Sequence, residues 1–312
     1  MRTIKIKSGI TISYQDQGDK SAPAIILIMG LGAQLIVWPE ELYFGLVNSG
    51  FRVIRFDNRD TGLSSQLEQY GDPSLLKIWL SKRLPLTSSN MYTLDDMATD
   101  VIELMDALNI KKAHLVGASM GGMIAQIIAA KYKKKVLSLT SIMSSSGKLK
   151  LSLSGLKLFL QLVKHRPRSP NRNSAIQYNI KLNQRIGSPA YPQDEQVLRK
   201  QAISGVDRAY NPRGFNRQLA AIAASDCRQH LMPKIKAPTL VIHGNVDPVM
   251  PVAAGKLTAM QIRKAKLKIV TGMGHNFPPA LMAKMTKWIS KHVKKAEKKR
   301  TQKKLKKLFQ ID

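Results

Sequence analysis

His114-Leu-Val-Gly-Ala-Ser-Met-Gly-Gly-Met-Ile-Ala-Gln126 joins a short apolar run to a Gly-x-Ser-x-Gly pentad and then to residues of helical character. A strand that turns sharply into a helix exposes the side chain at the turn, here Ser119. A serine hydroxyl is a weak nucleophile until a base takes its proton, and so sharp a turn crowds the backbone on either side, which favours glycine. Gly117 and Gly121 meet that demand, and Gly122 lets the helix pack close to the strand. A pentad with three fixed positions also arises by chance, so its surroundings decide what it means.

Working outward, Ala24-Ile-Ile-Leu-Ile-Met29 is a continuous apolar run ending in Gly30-Leu31-Gly32, the pattern of a strand buried on both faces and followed by a tight loop. Pro39 to Asn48 is expected to be a short helix with Pro39 in its first turn, and Phe51 to Phe56 a second strand. That strand runs into the polar loop Asp57-Asn-Arg-Asp-Thr-Gly-Leu-Ser64. Ahead of it all, Ile4, Ile6, Ile10 and Ile12 alternate with polar neighbours around Ser8-Gly9, a hairpin pattern. Between Gln66 and Met91 the signal is weak, with one or two helical turns expected over Ser74 to Lys82. From Thr93 a helix is clear: Leu94, Met97, Val101, Leu104, Met105 and Leu108 form one stripe, and Thr93 with Asp96 resembles a capping box with a shorter acid.

After a further strand, Val136 to Met143, the strand–helix alternation stops until Leu231. Leu149–Val163, Ala175–Ile186, Asp194–Ala202 and Gly214–Ala224 have helical spacing, with Pro167, Pro170, Pro189, Pro192 and Pro212 as breaks. Alternation resumes with strands at Thr239–His243 and Leu267–Val270, a helix near Val252–Met260 and a last helix over Pro279–Val293. The expected architecture is α/β, a mostly parallel doubly wound sheet interrupted once by a helical cap. The corresponding boundaries are 1–146 and 231–293 for the core, 147–230 for the cap and 294–312 for a basic tail.

Composition narrows the setting. At 312 residues the chain can bury a large core, and its one cysteine, Cys227, leaves no intrachain disulfide and no Cys/His cluster for structural zinc. A reducing cytoplasm fits, the N-terminus lacks the apolar core of a signal peptide, and the longest apolar run, Ala24 to Trp38, is too short and glycine-broken to span a membrane. The net charge of +30 raises nucleic acid and anionic surfaces as partners. From Lys291 onward ten basic residues face only Glu297 and Asp312, and the rest of the excess is scattered. No zinc finger, RNA-binding signature or basic–aromatic strand pattern accompanies it, so specific nucleic-acid binding is not expected. The tail past residue 294 is expected to be a frayed, charged extension, open to weak contact with an anionic surface.

With Gly117-Ala-Ser119-Met-Gly121 on a strand–helix turn, then His243-Gly-Asn-Val-Asp247-Pro-Val249, then Gly272-Met-Gly-His275, the chain resembles the α/β-hydrolase fold in its serine hydrolase form. The order Ser, Asp, His is that family's. Met29-Gly-Leu-Gly-Ala33, the Asp57–Ser64 loop and the elbow together look most like small esterases related to aclacinomycin methylesterase. The resemblance implies Ser119 as nucleophile, His275 as general base and acid, and Asp247 as the carboxylate that orients the imidazole. It also implies an oxyanion hole of backbone N–H groups from Met120 and Leu31. The family commonly has His-Gly where this chain has Met29-Gly30, a departure that loosens the assignment of Leu31. Asp57 and Arg59 are expected to brace the site, and Asp60 and Asp226 are competing carboxylates. His243 is expected to be structural, and His114, His165, His230 and His292 have no partner motif.

The function implied is a cofactor- and metal-independent serine hydrolase that cleaves a small carboxylic ester through an acyl-enzyme. Leucines between Leu151 and Leu162 suggest an apolar substrate group, or simply helix packing. Acyltransferase, thioesterase, perhydrolase and carbon–carbon hydrolase chemistry use the same residues and stay open, as does a binding protein built on the scaffold. Substrate identity and oligomeric state are not legible.

Overall fold

The structure, a computed structural model, describes residues 1–73, 91–147, 171–225 and 227–308. The helical turns expected over 74–82 and 149–163, and Asp226, lie outside the described residues.

Eight strands form one sheet in the order β1-β2-β4-β3-β5-β6-β7-β8. β1 (Arg2–Lys5) and β2 (Thr11–Gln17) form the expected hairpin, with Ile4 opposite Ile12, and β2 runs antiparallel to β4 (Arg52–Phe56). From β4 through β3 (Ala24–Ile28), β5 (Ala113–Ala118), β6 (Val136–Ile142), β7 (Thr239–Gly244) and β8 (Lys266–Val270) every pairing is parallel. Strands covered on both faces need apolar side chains at successive positions, and β3 and β5 are buried throughout.

The two-residue period of a strand splits these side chains between two cores. Ile26, Ile28 and Leu115 join α2 (Leu94–Ala107) and α3 (Met120–Lys131) on one face, through Met97, Val101, Ile124 and Ile128. Ile25, Leu27 and Val116 join α1 (Glu40–Asn48) and α8 (Met282–Leu308) on the other, through Leu42, Leu46, Met285 and Ile289. Thr93 and Asp96 close the expected capping box at α2: Asp96 Oδ2 accepts from Thr93 N at 2.7 Å, and Thr93 Oγ1 accepts from Asp96 N.

β6 and β7 are neighbours, so everything between them is an insertion in one crossover. Among the described residues it holds α4 (Arg172–Ile186), α5 (Glu195–Arg208) and α6 (Pro212–Ala224), whose own small core joins Ile176, Ile180 and Ala202. α7 (Val252–Gln261) then links β7 to β8.

Two expectations are corrected. Pro39 precedes α1 as its cap instead of sitting in its first turn. Pro212 does separate two helices, and it does so as the first residue of α6. The ring's fixed φ suits a helix start, and the Asn211 side chain accepts from Gly214 N to finish that turn. The last helix does not end at Val293: after a turn at Pro279–Leu281 it runs from Met282 to Leu308, with Ala296 buried and Arg300 paired to Glu297 one turn away. Beyond Pro279 the sequence offers neither proline nor glycine to stop it. Among the described residues no helix is long and apolar enough to cross a membrane.

Candidate active site

Ser119 stands between the end of β5 and the first turn of α3 with φ 52° and ψ −120°, a conformation that costs a residue with a side chain about 1–3 kcal/mol. The surrounding glycines show why the turn can close. A Cβ on Gly117 would lie 2.2 Å from Gly121 O, and one on Gly121 would lie 2.0 Å from Ile28 O. A Cβ on Gly122 would lie 2.6 Å from the Ser144 Cβ, and Ser144 Oγ donates to Ser119 O at 2.7 Å.

Asp247 follows β7 and His275 follows β8, both at the same edge of the sheet as the end of β5. There the three residues meet. His275 Nε2 is 3.0 Å from Ser119 Oγ, and His275 Nδ1 is 2.7 Å from Asp247 Oδ2. The Asp247 carboxylate is fully buried, and its other oxygen, Oδ1, accepts from Val249 N at 2.8 Å and Met250 N at 2.7 Å. An anionic Asp247 can only accept, so Nδ1 carries the proton between them and Nε2 turns its lone pair to the Ser119 hydroxyl. The arrangement can therefore remove the proton of Ser119 and hold the resulting imidazolium against a carboxylate.

The His275 loop is held by the insertion. His275 N donates to Ile186 O at 2.7 Å, Gly274 N donates to Ser188 Oγ at 2.8 Å, and Ser188 Oγ donates to Asn276 Oδ1 at 2.5 Å. A Cβ on Gly274 would lie 2.0 Å from Gly187 O. Ser188 and Asn276 are invisible to motif reading, since no local spacing marks either as a support.

Gly30 packs directly on the serine: a Cβ there would come within 3.1 Å of Ser119 Cβ and 3.7 Å of its Oγ. That contact brings the loop carrying Leu31 beside Ser119. Among the described residues neither Leu31 N nor Met120 N donates to a protein group, whereas Gly32 N donates to Gln218 Oε1 at 2.8 Å. Met29 contributes its carbonyl, which accepts from Asn58 Nδ2 at 3.0 Å and so links this loop to the Asp57–Ser64 loop.

The Asp57–Ser64 loop braces as expected. Asp57 Oδ1 accepts from Leu35 N at 2.7 Å, and Oδ2 accepts from Leu63 N at 3.0 Å and Arg208 Nη2 at 2.6 Å. Arg59 grips Asp100 with two bonds of 2.6 Å; burial pushes the Asp100 carboxyl up, with the Arg59 pairing opposing it. Asp60 is occupied by Leu67 N, Arg217 and the Tyr92 hydroxyl, each at 2.8 Å, which removes it as a competitor for His275. Arg208 on α5 and Arg217 on α6 thus bolt the insertion to this loop; sequence reading missed both.

His165 lies outside the described residues, and His243 Nε2 comes to 3.8 Å from Asp247 Oδ2. His243 Nε2 donates to Met250 O at 2.8 Å; burial holds its pKa below the ordinary value, and its Nδ1 faces Gly255. His114 lies buried with Nδ1 2.8 Å from Ser138 Oγ and Nε2 3.3 Å from Glu297 Oε1, and burial lowers its pKa to about 3. Neither approaches Ser119 in place of His275. Among the described residues no group of His, Cys, Asp and Glu side chains could hold a metal ion.

A strained serine on a strand–helix turn, backed by an imidazole and a buried carboxylate from later strand ends of one parallel sheet, defines a class. Residues 23–278 match the family described as alpha/beta hydrolase fold, and the chain belongs to that family. It is 25% identical to rhodomycin D methylesterase DauP of Streptomyces sp. (strain C5), over 93% of this chain and 97% of that one. It is 26% identical to 3-oxoadipate enol-lactonase 1 of Acinetobacter baylyi, over 85% and 86%. Its fold superposes on the enol-lactonase of Burkholderia xenovorans LB400 with a TM-score of 0.73 at 22% identity, covering 94% of this chain and all of the other.

Proposed function

We propose that the protein is a serine hydrolase of small carboxylic esters, working through an acyl-enzyme on Ser119. The observation that carries this reading is the continuous relay from Asp247 Oδ2 to His275 to Ser119 Oγ, at 2.7 and 3.0 Å, on a serine held in a strained turn. The relatives named methylesterase and enol-lactonase support an ester as the bond attacked.

Ser119 Oγ attacks the acyl carbon while His275 Nε2 takes its proton, and the carbonyl oxygen becomes an oxyanion facing the N–H groups of Leu31 and Met120. Collapse expels the alkoxide, which leaves as the alcohol with the proton from His275. Water, deprotonated by His275, then attacks the Ser119 ester; the acid departs and the proton returns to Ser119 Oγ. Asp247 keeps Nδ1 protonated throughout and stabilises the imidazolium. The inserted helices α4 to α6 act as the cap, with Ser188, just after α4, holding the His275 loop and Gln218 on α6 holding the Leu31 loop.

An aryl fluorophosphonate tests the nucleophile. Intact mass should rise by one adduct in the wild type and not in Ser119→Ala; an equal adduct on both removes Ser119 from the role. A panel of p-nitrophenyl esters of graded acyl length, read as kcat/KM, then defines the acyl group.

A further inference from the structure

At the far end of the sheet from Ser119, a cleft of about 360 Å³ opens where three segments meet. They are the loop Pro233–Pro238 leading into β7, the turn from α7 into β8, and the α8 stretch from His292 to Lys299. Thr239 and Lys266 begin β7 and β8, whereas Asp247 and His275 follow the ends of those strands. Six residues of β7 at 3.3 Å each put about 20 Å between the cleft and the candidate active site.

The cleft is lined by Lys236, Arg263, Lys264, Lys266, Lys295 and Lys299, and by no carboxylate. Among the described residues none of these six forms an ion pair, although Lys20, Arg52, Lys131 and Lys135 elsewhere on the chain do. The nearest acid on α8, Glu297, is spent on Arg300 and lies beside His114. Burial holds the His292 pKa below its ordinary value and Lys266 pushes the same way, opposed by the hydrogen bond that its Nε2 donates to Pro238 O at 3.2 Å. The C-terminus of α7 beside Arg263 offers only about half a negative charge, too little to balance six cations.

The six cations are exposed and come from three separate elements, so an anion entering the cleft meets them together, and five of the six are lysines, which suit phosphate oxygens as mobile point-charge donors. Ile235 and Ala296, both buried, add an apolar part to the lining. We propose that this cleft is a second ligand site, binding a small, soluble, multiply phosphorylated anion. Its concave shape favours a compact ligand over a membrane, which needs a protruding or flat basic face. The site is separate from ester hydrolysis and stands whether or not Ser119 is the nucleophile.

Titration calorimetry of the full chain with inorganic tripolyphosphate at physiological salt tests the site. One saturable equivalent is expected, with affinity falling about tenfold or more in Lys236→Gln/Lys266→Gln/Lys299→Gln. The control Lys131→Gln/Lys133→Gln/Lys134→Gln removes the same charge elsewhere and should leave affinity within about twofold. In the wild type, tripolyphosphate should shield Lys236, Lys266, Lys295 and Lys299 from acetylation more than Lys131 to Lys135, a readout that needs no variant. Equal loss in both triple variants, absence of a saturable equivalent, uniform shielding, or binding seen only with phosphatidylglycerol vesicles would each overturn the proposal.

Discussion

Gln218, buried on α6 of the insertion, accepts from the backbone N–H of Gly32 at 2.8 Å while its own amide donates to Arg59 O at 2.6 Å and Thr61 Oγ1 at 2.7 Å. One side chain thereby ties the insertion both to the Gly30–Ala33 loop beside the serine and to the Asp57–Ser64 loop. In Gln218→Leu two buried polar groups, Arg59 O and Thr61 Oγ1, and the half-buried Gly32 N lose a partner, at about 1–3 kcal/mol for each buried group left unsatisfied. Melting temperature should fall, and kcat for a p-nitrophenyl ester should drop about tenfold with KM changed less, because the Leu31 N–H, the oxyanion donor proposed above, would be misaimed rather than removed. Gln218→Glu keeps the acceptor for Gly32 and should recover part of kcat. A drop confined to KM would show that Gln218 only shapes substrate access.

The strain at Ser119 gives a prediction about stability. Both Ser119→Ala and Ser119→Gly should abolish turnover if Ser119 is the nucleophile, but only glycine relaxes φ 52°, ψ −120°. Ser119→Gly should therefore melt above Ser119→Ala, by about 2 °C for about 1 kcal/mol in a chain of this size. Differential scanning calorimetry of the two variants decides it; a lower melting point for the glycine variant would mean the turn is not strained.

These two residues mark how far the sequence could be read. Ser119, Asp247 and His275 were legible because each chemistry needs a fixed residue type at a strand end, and the buried parallel strands announced themselves as apolar runs such as Ala24–Ile28. Gln218, Arg208, Arg217 and Ser188 were not, because each acts across more than 80 residues of chain with no local pattern to mark it. The end of α8 was misread for a different reason. A run of lysines looks like a frayed tail, and only the burial of Ala296 and the Glu297–Arg300 pair show the helix continuing.

Acid should destabilise the fold through His114. Its pKa is about 3 in the folded protein against an ordinary 6.5, so between those values the unfolded chain binds a proton that the folded one refuses. Stability is thus complete above pH 6.5 and is lost as pH falls toward 3. At pH 5 the gap of 1.5 pH units corresponds to about 2 kcal/mol. Unfolding free energies from urea titrations at pH 7 and pH 5 should differ by this much in the wild type and by less in His114→Asn, whose amide can still meet Ser138 Oγ. An unchanged difference would place the acid sensitivity in other groups.

Asp247→Asn tests the relay without emptying it. The asparagine carbonyl oxygen is expected to keep the place of Oδ1, because Val249 N and Met250 N both donate there and an amide NH2 could not accept them. Its NH2 then faces His275 Nδ1, where Oδ2 now sits. Two donors cannot share that contact, so the imidazole must turn Nδ1 into an acceptor and carry its proton on Nε2, pointing at Ser119 Oγ. The serine would then face a donor instead of a base, and the imidazolium would lose its counter-charge. A fall in kcat of about ten-thousandfold is expected, with substrate binding and melting temperature little changed. Loss of less than about tenfold would mean that Asp247 does not set the tautomer of His275, and with it the proposed proton path would fail.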